Sequence, residues 1–257
     1  MPKVSVLTLN VWNREGDWER RKPLVRACIE RLRPDLIGLC EAKDREQVRE
    51  MLGDDYSWEW SGGEISGIAI ASRWPLSDVA TCALPGDGDA PGGAALRARA
   101  QSPIGPIGFT CATTFFFMSH HGCKRELQMP QLADFARGSV PAGGFPPILV
   151  GDFNADPESA EIRFLKGLQS LGGRSAYFCD AWEHAGDGGK GATWSNANSS
   201  AAIWHWPERR VDYILVGHPR HDGAGRIDSC TVVANQAVEG TWPSDHFGVY
   251  AVLRGVA

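Results

Sequence analysis

Apolar residues gather along this chain in short runs that meet polar, oxygen-bearing side chains at one end. Residues 4–10, 36–41 and 148–154 lead into Asn10, Glu41 and Asp152, the last followed by Phe153 and Asn154. Residues 210–216 and 244–249 carry their polar groups near the start instead, Asp212 in one and Asp245-His246 in the other. Apolar runs of this length read as buried strands. Between the first two, positions 17–32 place Leu24, Ala27, Cys28 and Leu32 near helical spacing, and Pro34 ends the pattern. An amphipathic helix is predicted there, and a shorter one at 46–52. The opening strand-helix-strand order favours parallel pairing of its two strands.

From Tyr56 onward the rhythm shortens. Residues 57–60, 67–72, 77–84, 94–101 and 107–114 read as strands broken by Gly and Pro, with a loop at 87–93. A helix is predicted over 124–137, with Leu127, Leu132, Phe135 and Ala136 as its apolar positions; Pro130 argues for a kink or a later start. Another is predicted over 158–168, with Pro157 near its first turn. Residues 186–207, rich in Gly, Ser, Asn and Ala, read as a long loop, and long loops in compact domains are often functional.

The polar ends constrain the topology. Asn10, Glu41 and Asp152 close their strands, whereas Asp212 and Asp245-His246 open theirs. They can share one edge only if the last two strands run opposite to the first three. A purely parallel sheet would separate the two sets by about 17–20 Å, a strand's length. The expectation is therefore mixed sheets with helices outside, in a layered α+β style. The motifs span the chain, so one domain is expected over residues 1–257.

Composition narrows the setting. Apolar content of 43% and charged content of 22% are ordinary for a globular protein. Seven scattered cysteines with no CxxC pair support neither a disulfide scaffold nor a zinc ribbon. Their usage fits a reducing cytoplasm, and neither a signal peptide nor a membrane-spanning helix is expected. A net charge of −5, with Arg20-Arg21-Lys22 as the longest basic cluster, disfavours nonspecific nucleic-acid binding without excluding a local groove.

Glu41 and Asp152, with Asn10, Asn154 and Asp245, are oxygen ligands suited to Mg²⁺ or Mn²⁺. Unclustered histidines and cysteines argue against zinc. His246 supplies a group that titrates near neutrality, and Asp212 is the expected carboxylate to fix its tautomer.

Leu9-Asn10, Leu39-Cys40-Glu41-Ala42, Gly151-Asp152-Phe153-Asn154, Arg210-Val211-Asp212-Tyr213-Ile214 and Ser244-Asp245-His246 resemble, in order and spacing, the five blocks of the endonuclease/exonuclease/phosphatase family. Residues 67–75 are similar to a further strand of that family. The resemblance implies a four-layered α/β sandwich, two mixed sheets face to face with helices outside, and metal-dependent phosphoester hydrolysis with one or two Mg²⁺ or Mn²⁺ ions. It makes Glu41 the main metal ligand, assisted by Asn10 and Asp245. Asp152 would activate or orient water, Asn154 would hold a phosphate oxygen, and His246 with Asp212 would complete a base or phosphate-binding dyad. Which group takes the proton stays open.

One position departs from the family pattern. Many members carry Thr-His-Leu where this chain has Thr113-Thr114-Phe115, so Thr114 stands in place of a phosphate-contacting histidine. Thr114 donates a weaker hydrogen bond there, or His120 or His121 folds back, or Arg125 or Arg209 takes over. His120 and His121 read more readily as exposed loop residues than as phosphate contacts, and Arg209 reads equally as a partner of a local acid such as Glu208. Ten tryptophans are many, and Trp12, Trp204, Trp206 and Trp242 lie where they would either pack or wall an apolar pocket. The substrate class expected is a small or lipid-like phosphodiester. DNA or RNA cleavage and a catalytically silent phosphate-binding module are the alternatives.

Overall fold

The computed structural model describes residues 2–62, 67–86, 92–115, 119–138, 140 and 143–255. Twelve strands are formed: β1 (Lys3–Asn10), β2 (Leu36–Cys40), β3 (Ser57–Ser61), β4 (Ile68–Ser72), β5 (Leu76–Leu84), β6 (Gly93–Ser102), β7 (Gly105–Thr113), β8 (Ile148–Asp152), β9 (Cys179–Asp180), β10 (Asp212–Val216), β11 (Ile227–Val233) and β12 (Gly248–Arg254). The helices are α1 (Trp18–Leu32), α2 (Arg45–Leu52), α3 (Gly122–Arg137), α4 (Ala160–Leu165), α5 (Ala181–Ala185) and α6 (Ser199–Ala202). One six-stranded sheet runs β11-β12-β1-β2-β4-β3, the other β5-β6-β7-β8-β10-β9. Among the described residues only β1–β2 and β7–β8 pair in parallel; the remaining neighbours are antiparallel.

Both faces of each central strand are apolar because both are covered. Val4, Val6, Leu36 and Ile70 of the first sheet pack against Phe109, Ile148, Val150 and Ile214 of the second. Leu7, Leu9, Ile37 and Leu39 turn the other way, onto Val25, Ile29, Val48 and Met51 of α1 and α2. Ala112, Leu149 and Leu215 meet Met129, Leu132, Ile162 and Phe164 of α3 and α4. The result is a four-layered α/β sandwich. Gly38 marks the close approach of the sheets: a Cβ there would lie 2.4 Å from Val150 Cγ2.

Local pattern misplaced several elements. The buried face of α1 is Trp18, Arg21, Val25, Cys28 and Ile29, while Ala27 is exposed and Leu24 and Leu32 are half-buried. The inward stripe includes a charged side chain, which an apolar count misses. Helix α3 begins at Gly122 and contains Pro130; Leu127 is 70% exposed, and Arg125 and Gln128 are buried in the helix instead. Helix α4 covers six residues rather than 158–168, since Gly167 takes φ +77° immediately beyond it. The expected 186–207 loop holds the short α6, and strands β9 and β11 were not foreseen. Most of the 87–93 loop lies outside the described residues. No helix among the described residues is long and apolar enough to cross a membrane.

Candidate active site

Strand register brings the five blocks together. Antiparallel pairing of β10 with β8 sets Asp212 directly opposite Asp152, and parallel pairing of β1 with β2 sets Asn10 beside Cys40, one residue before Glu41. Gly151 adopts φ +139°, and a Cβ there would lie 1.9 Å from the Ala112 carbonyl oxygen. Only glycine permits this approach. Asp152 then closes an Asx turn: the Asn154 amide donates to Asp152 Oδ1 at 2.9 Å. Glu41 (φ 57°) and Asn154 (φ 49°) both occupy the left-handed region, which is sparsely populated by such residues and recurs at functional sites.

Asn10 links the acids. The Trp12 backbone N–H donates to Asn10 Oδ1 at 2.9 Å. Because a backbone amide can only donate, this contact turns the Asn10 NH₂ inward, where it donates to Glu41 Oε1 and Asp152 Oδ2, both at 3.1 Å. Asn10 therefore meets the carboxylates with nitrogen, not with the oxygen expected of a metal ligand. Asn13 Nδ2 donates to the second Glu41 oxygen at 3.2 Å.

On the opposite side, His246 Nδ1 lies 2.9 Å from Asp212 Oδ2. The long loop braces this dyad. Thr193 Oγ1 accepts the backbone amides of Val211 and Asp212, and the Thr193 carbonyl accepts that of Phe247. Trp194 sets its ring edge-on to the imidazole, centroids 5.0 Å apart. Ser244 Oγ donates to the Asn10 carbonyl at 2.6 Å, tying the last block to the first. Asn198 Nδ2 donates to the carbonyls of Ser244 and Asp245.

These groups crowd negative charge in a dry place. Asp152 is 2%, Asp212 0% and Asp245 7% exposed. Burial, and then repulsion from Asp212, push the Asp152 carboxyl up to about 7, against the pull of His246. Glu41 is raised by burial and by Asp245, and Asp245 by burial. Burial alone would lower the His246 imidazolium, but Asp212 and Asp152 outweigh it and hold it well above the ordinary histidine range. Oxygen donors from Asp152 and Asp212 lie with a His246 ring nitrogen within 4.8 Å of one another. Asp212 Oδ1 is buried without a partner. A hard divalent cation would suit the carboxylates of this cluster, Asp152 with Glu41 and Asp245, because it prefers carboxylate oxygens and counters the burial and crowding that raise them.

The family profile described as Endonuclease/Exonuclease/phosphatase matches residues 7–246, the interval from Leu7 to His246 that holds all five blocks. The chain belongs to the endonuclease/exonuclease/phosphatase family. Members of this family are metal-dependent phosphodiesterases and nucleases. Among solved structures, TDP2 from D. rerio complexed with single-strand DNA product superposes with a TM-score of 0.82 at 18% identity, over 99% of this chain and 100% of that one. Truncated Caenorhabditis elegans TDP2 gives 0.77 at 20% identity over 98% and 97%. An endonuclease/exonuclease/phosphatase family protein from Bacteroides thetaiotaomicron gives 0.75 at 18% identity over 98% and 95%. At these identities the likeness is one of fold. No curated protein matches the chain significantly in sequence.

Within this endonuclease/exonuclease/phosphatase framework the remaining candidates are dispersed. Thr114 is 2% exposed and donates to the Phe153 carbonyl at 2.6 Å, bracing the turn that carries Asp152 and Asn154. Arg125 is 1% exposed and pairs with Glu161 at 2.8 Å between α3 and α4. Arg209 pairs with Asp156 at 3.0 Å, and its Nη2 donates to the Asn154 carbonyl. His120 is exposed, and its ring packs on His121, centroids 4.2 Å apart. Trp206 stacks between Trp194 and Trp204 at 5.5 and 5.6 Å, forming a ladder from the imidazole to the surface. Trp242 packs on Phe247 at 5.6 Å. Sequence reading passed over Asn13, Thr193, Trp194 and Asn198. The Thr-Trp pair inside an otherwise small, polar loop was the available signal.

Proposed function

We propose that residues 1–257 act as one catalytic domain, a Mg²⁺- or Mn²⁺-dependent hydrolase of phosphodiesters. A single observation supports this: Asn10 clasps Glu41 and Asp152, and beside Asp152, within 4.8 Å of it, Asp212 clasps His246. Because His246 Nδ1 is engaged by Asp212, its Nε2 is the nitrogen left for chemistry, so the cation belongs on the Glu41 side. Glu41, Asp152 and Asp245 would hold it. Once bound, the ion draws charge from the phosphoryl group and steadies the leaving oxygen.

The chain's own groups do the rest. Asp152 Oδ2, shared with the Asn10 amide, orients the attacking water. Asn154, fixed in its left-handed turn with one side-chain N–H reaching the Thr114 carbonyl at 3.4 Å, would offer its amide to a phosphate oxygen. His246, kept cationic by Asp212 and Asp152, balances charge on the phosphate and moves a proton at Nε2. Trp194 and Trp206 wall the leaving-group side, which suits an apolar or planar group on a small or lipid-like diester.

A second substrate reading is favoured by the same ladder. Single-stranded nucleic acid would lay bases on indole faces, and D. rerio TDP2 has been crystallised with single-strand DNA product. Turnover of bis(p-nitrophenyl) phosphate, p-nitrophenylphosphorylcholine and a single-stranded oligonucleotide, with Mg²⁺, Mn²⁺ or EDTA, separates these possibilities. Hydrolysis that persists in EDTA, or none with any metal, refutes the assignment.

A further inference from the structure

Arg21 lies in the basic cluster on α1, yet it is 3% exposed. Its guanidinium carries five N–H donors, and each finds a backbone carbonyl. Nε donates to Glu15, Nη1 to Val11 and Pro243, and Nη2 to Trp12 and Asn13, at 2.9 to 3.2 Å. The Trp12 and Trp18 rings flank it, with centroids 4.9 and 5.3 Å away. All five of these acceptors are backbone carbonyls, not carboxylates.

The segments so gathered are the ones that carry the acids. Trp12 and Asn13 follow Asn10 in consecutive left-handed conformations (φ 54° and 44°), an arrangement unusual outside glycine. Through it the Trp12 amide fixes Asn10, and the Asn13 amide holds Glu41. Pro243 stands two residues before Asp245. One Arg21 nitrogen, Nη1, donates both to Val11 and to Pro243, 222 residues further along the chain than Arg21 itself, and so joins the opening and closing blocks. We infer that Arg21 is a positioning residue: its planar fork locks the Asn10–Asn13 turn to the Asp245 loop and thereby sets the spacing of Glu41 and Asp245.

This inference rests on the metal-site reading above. Lysine keeps the charge but presents three donors without a planar fork, so Arg21→Lys isolates the clamp from the cation. Mn²⁺ binding is measured on the full chain by calorimetry and by the Mn²⁺ spin-resonance signal, with no substrate present. Arg21→Lys raises the Mn²⁺ dissociation constant at least tenfold, while kcat at saturating Mn²⁺ stays within about threefold. Trp18→Phe, which thins the ring stack and gives up the Trp18–Glu50 hydrogen bond but touches neither Glu41 nor Asp245, raises it two- to fivefold. Val25→Ala, a cavity in the same helix, lowers Tm and leaves the Mn²⁺ constant unchanged.

If Arg21→Lys does not fold, Trp18→Phe decides. A wild-type Mn²⁺ constant in the folded clamp variants overturns the clamp and leaves the metal site standing. An equal shift in Val25→Ala overturns it too, as general loosening. A wild-type chain that binds no Mn²⁺ overturns the metal site and the clamp together.

Discussion

At the scale of single residues, the site sets function against stability. Asp152 is buried among other carboxylates and below the bonding capacity that a solvated acid would have. Asp152→Asn removes a buried charge while keeping the shape, so the metal-free protein should gain thermal stability as it loses about a thousandfold or more in kcat/KM. Melting curves in EDTA and steady-state kinetics test the two halves separately; a variant that is both active and less stable contradicts the assigned role. His246→Ala should match the kinetic loss and also lower Tm, because it leaves the buried Asp212 carboxylate without its 2.9 Å partner. Thr114→Val should cost about 1–2 kcal/mol in denaturant unfolding, because it leaves the Phe153 carbonyl without its 2.6 Å donor. That loss would mark Thr114 as a brace of the Asp152–Asn154 turn rather than a substitute for a phosphate-binding histidine.

At the scale of elements, the strand ends decide where chemistry can occur. β8 must end in a turn that passes against β7, and Gly151 allows the backbone to do so at φ +139°. Gly151→Ala puts a methyl group on the Ala112 carbonyl and should destabilise by more than about 2 kcal/mol, read as a lower denaturant midpoint. The same change should weaken activity beyond the stability loss, since Asp152 and Asn154 hang on that turn. An alanine variant with wild-type midpoint and rate would show that the turn tolerates displacement. The strands themselves were plain from their apolar runs and breaks. Helix phase was harder, as α1 shows: Arg21 takes an inward position because five carbonyls satisfy it. A polar–apolar count assigns such a residue to the surface.

At the scale of the whole molecule, the acid cluster makes stability depend on pH and on metal together. Asp152, with its folded pKa raised to about 7, holds a proton that the unfolded chain has released, so folding loses support as pH rises from about 4 to 7. His246, raised above its unfolded value, adds stability below about 6.5 that is lost as pH climbs through the folded pKa. Both signs agree. On the proposed reading, saturating Mn²⁺ takes the place of the Asp152 proton, so the Tm gap between Mn²⁺ and EDTA should widen from pH 5.5 to 7.5. At a hundredfold excess over the dissociation constant the gain is about 2.7 kcal/mol, or roughly 5–10 °C for a domain of this size. A gap that shrinks with pH would contradict the charge-crowding account.

The sequence by itself determined which residues could do chemistry and on which ends of their strands they sit. Apolar runs, Gly-Asp-Phe-Asn and Ser-Asp-His are local facts, and local facts also forced the sheets to be mixed. Tertiary structure alone decided how those residues face one another. The Trp12 amide turned Asn10 so that nitrogen, not oxygen, meets the acids. Glu161 and Asp156 drew Arg125 and Arg209 into ion pairs. Thr193 and Arg21 became braces through contacts with segments far away in the chain. Such roles depend on which carbonyl or carboxylate lies within about 3 Å after folding, and no periodicity along one strand or helix encodes that distance.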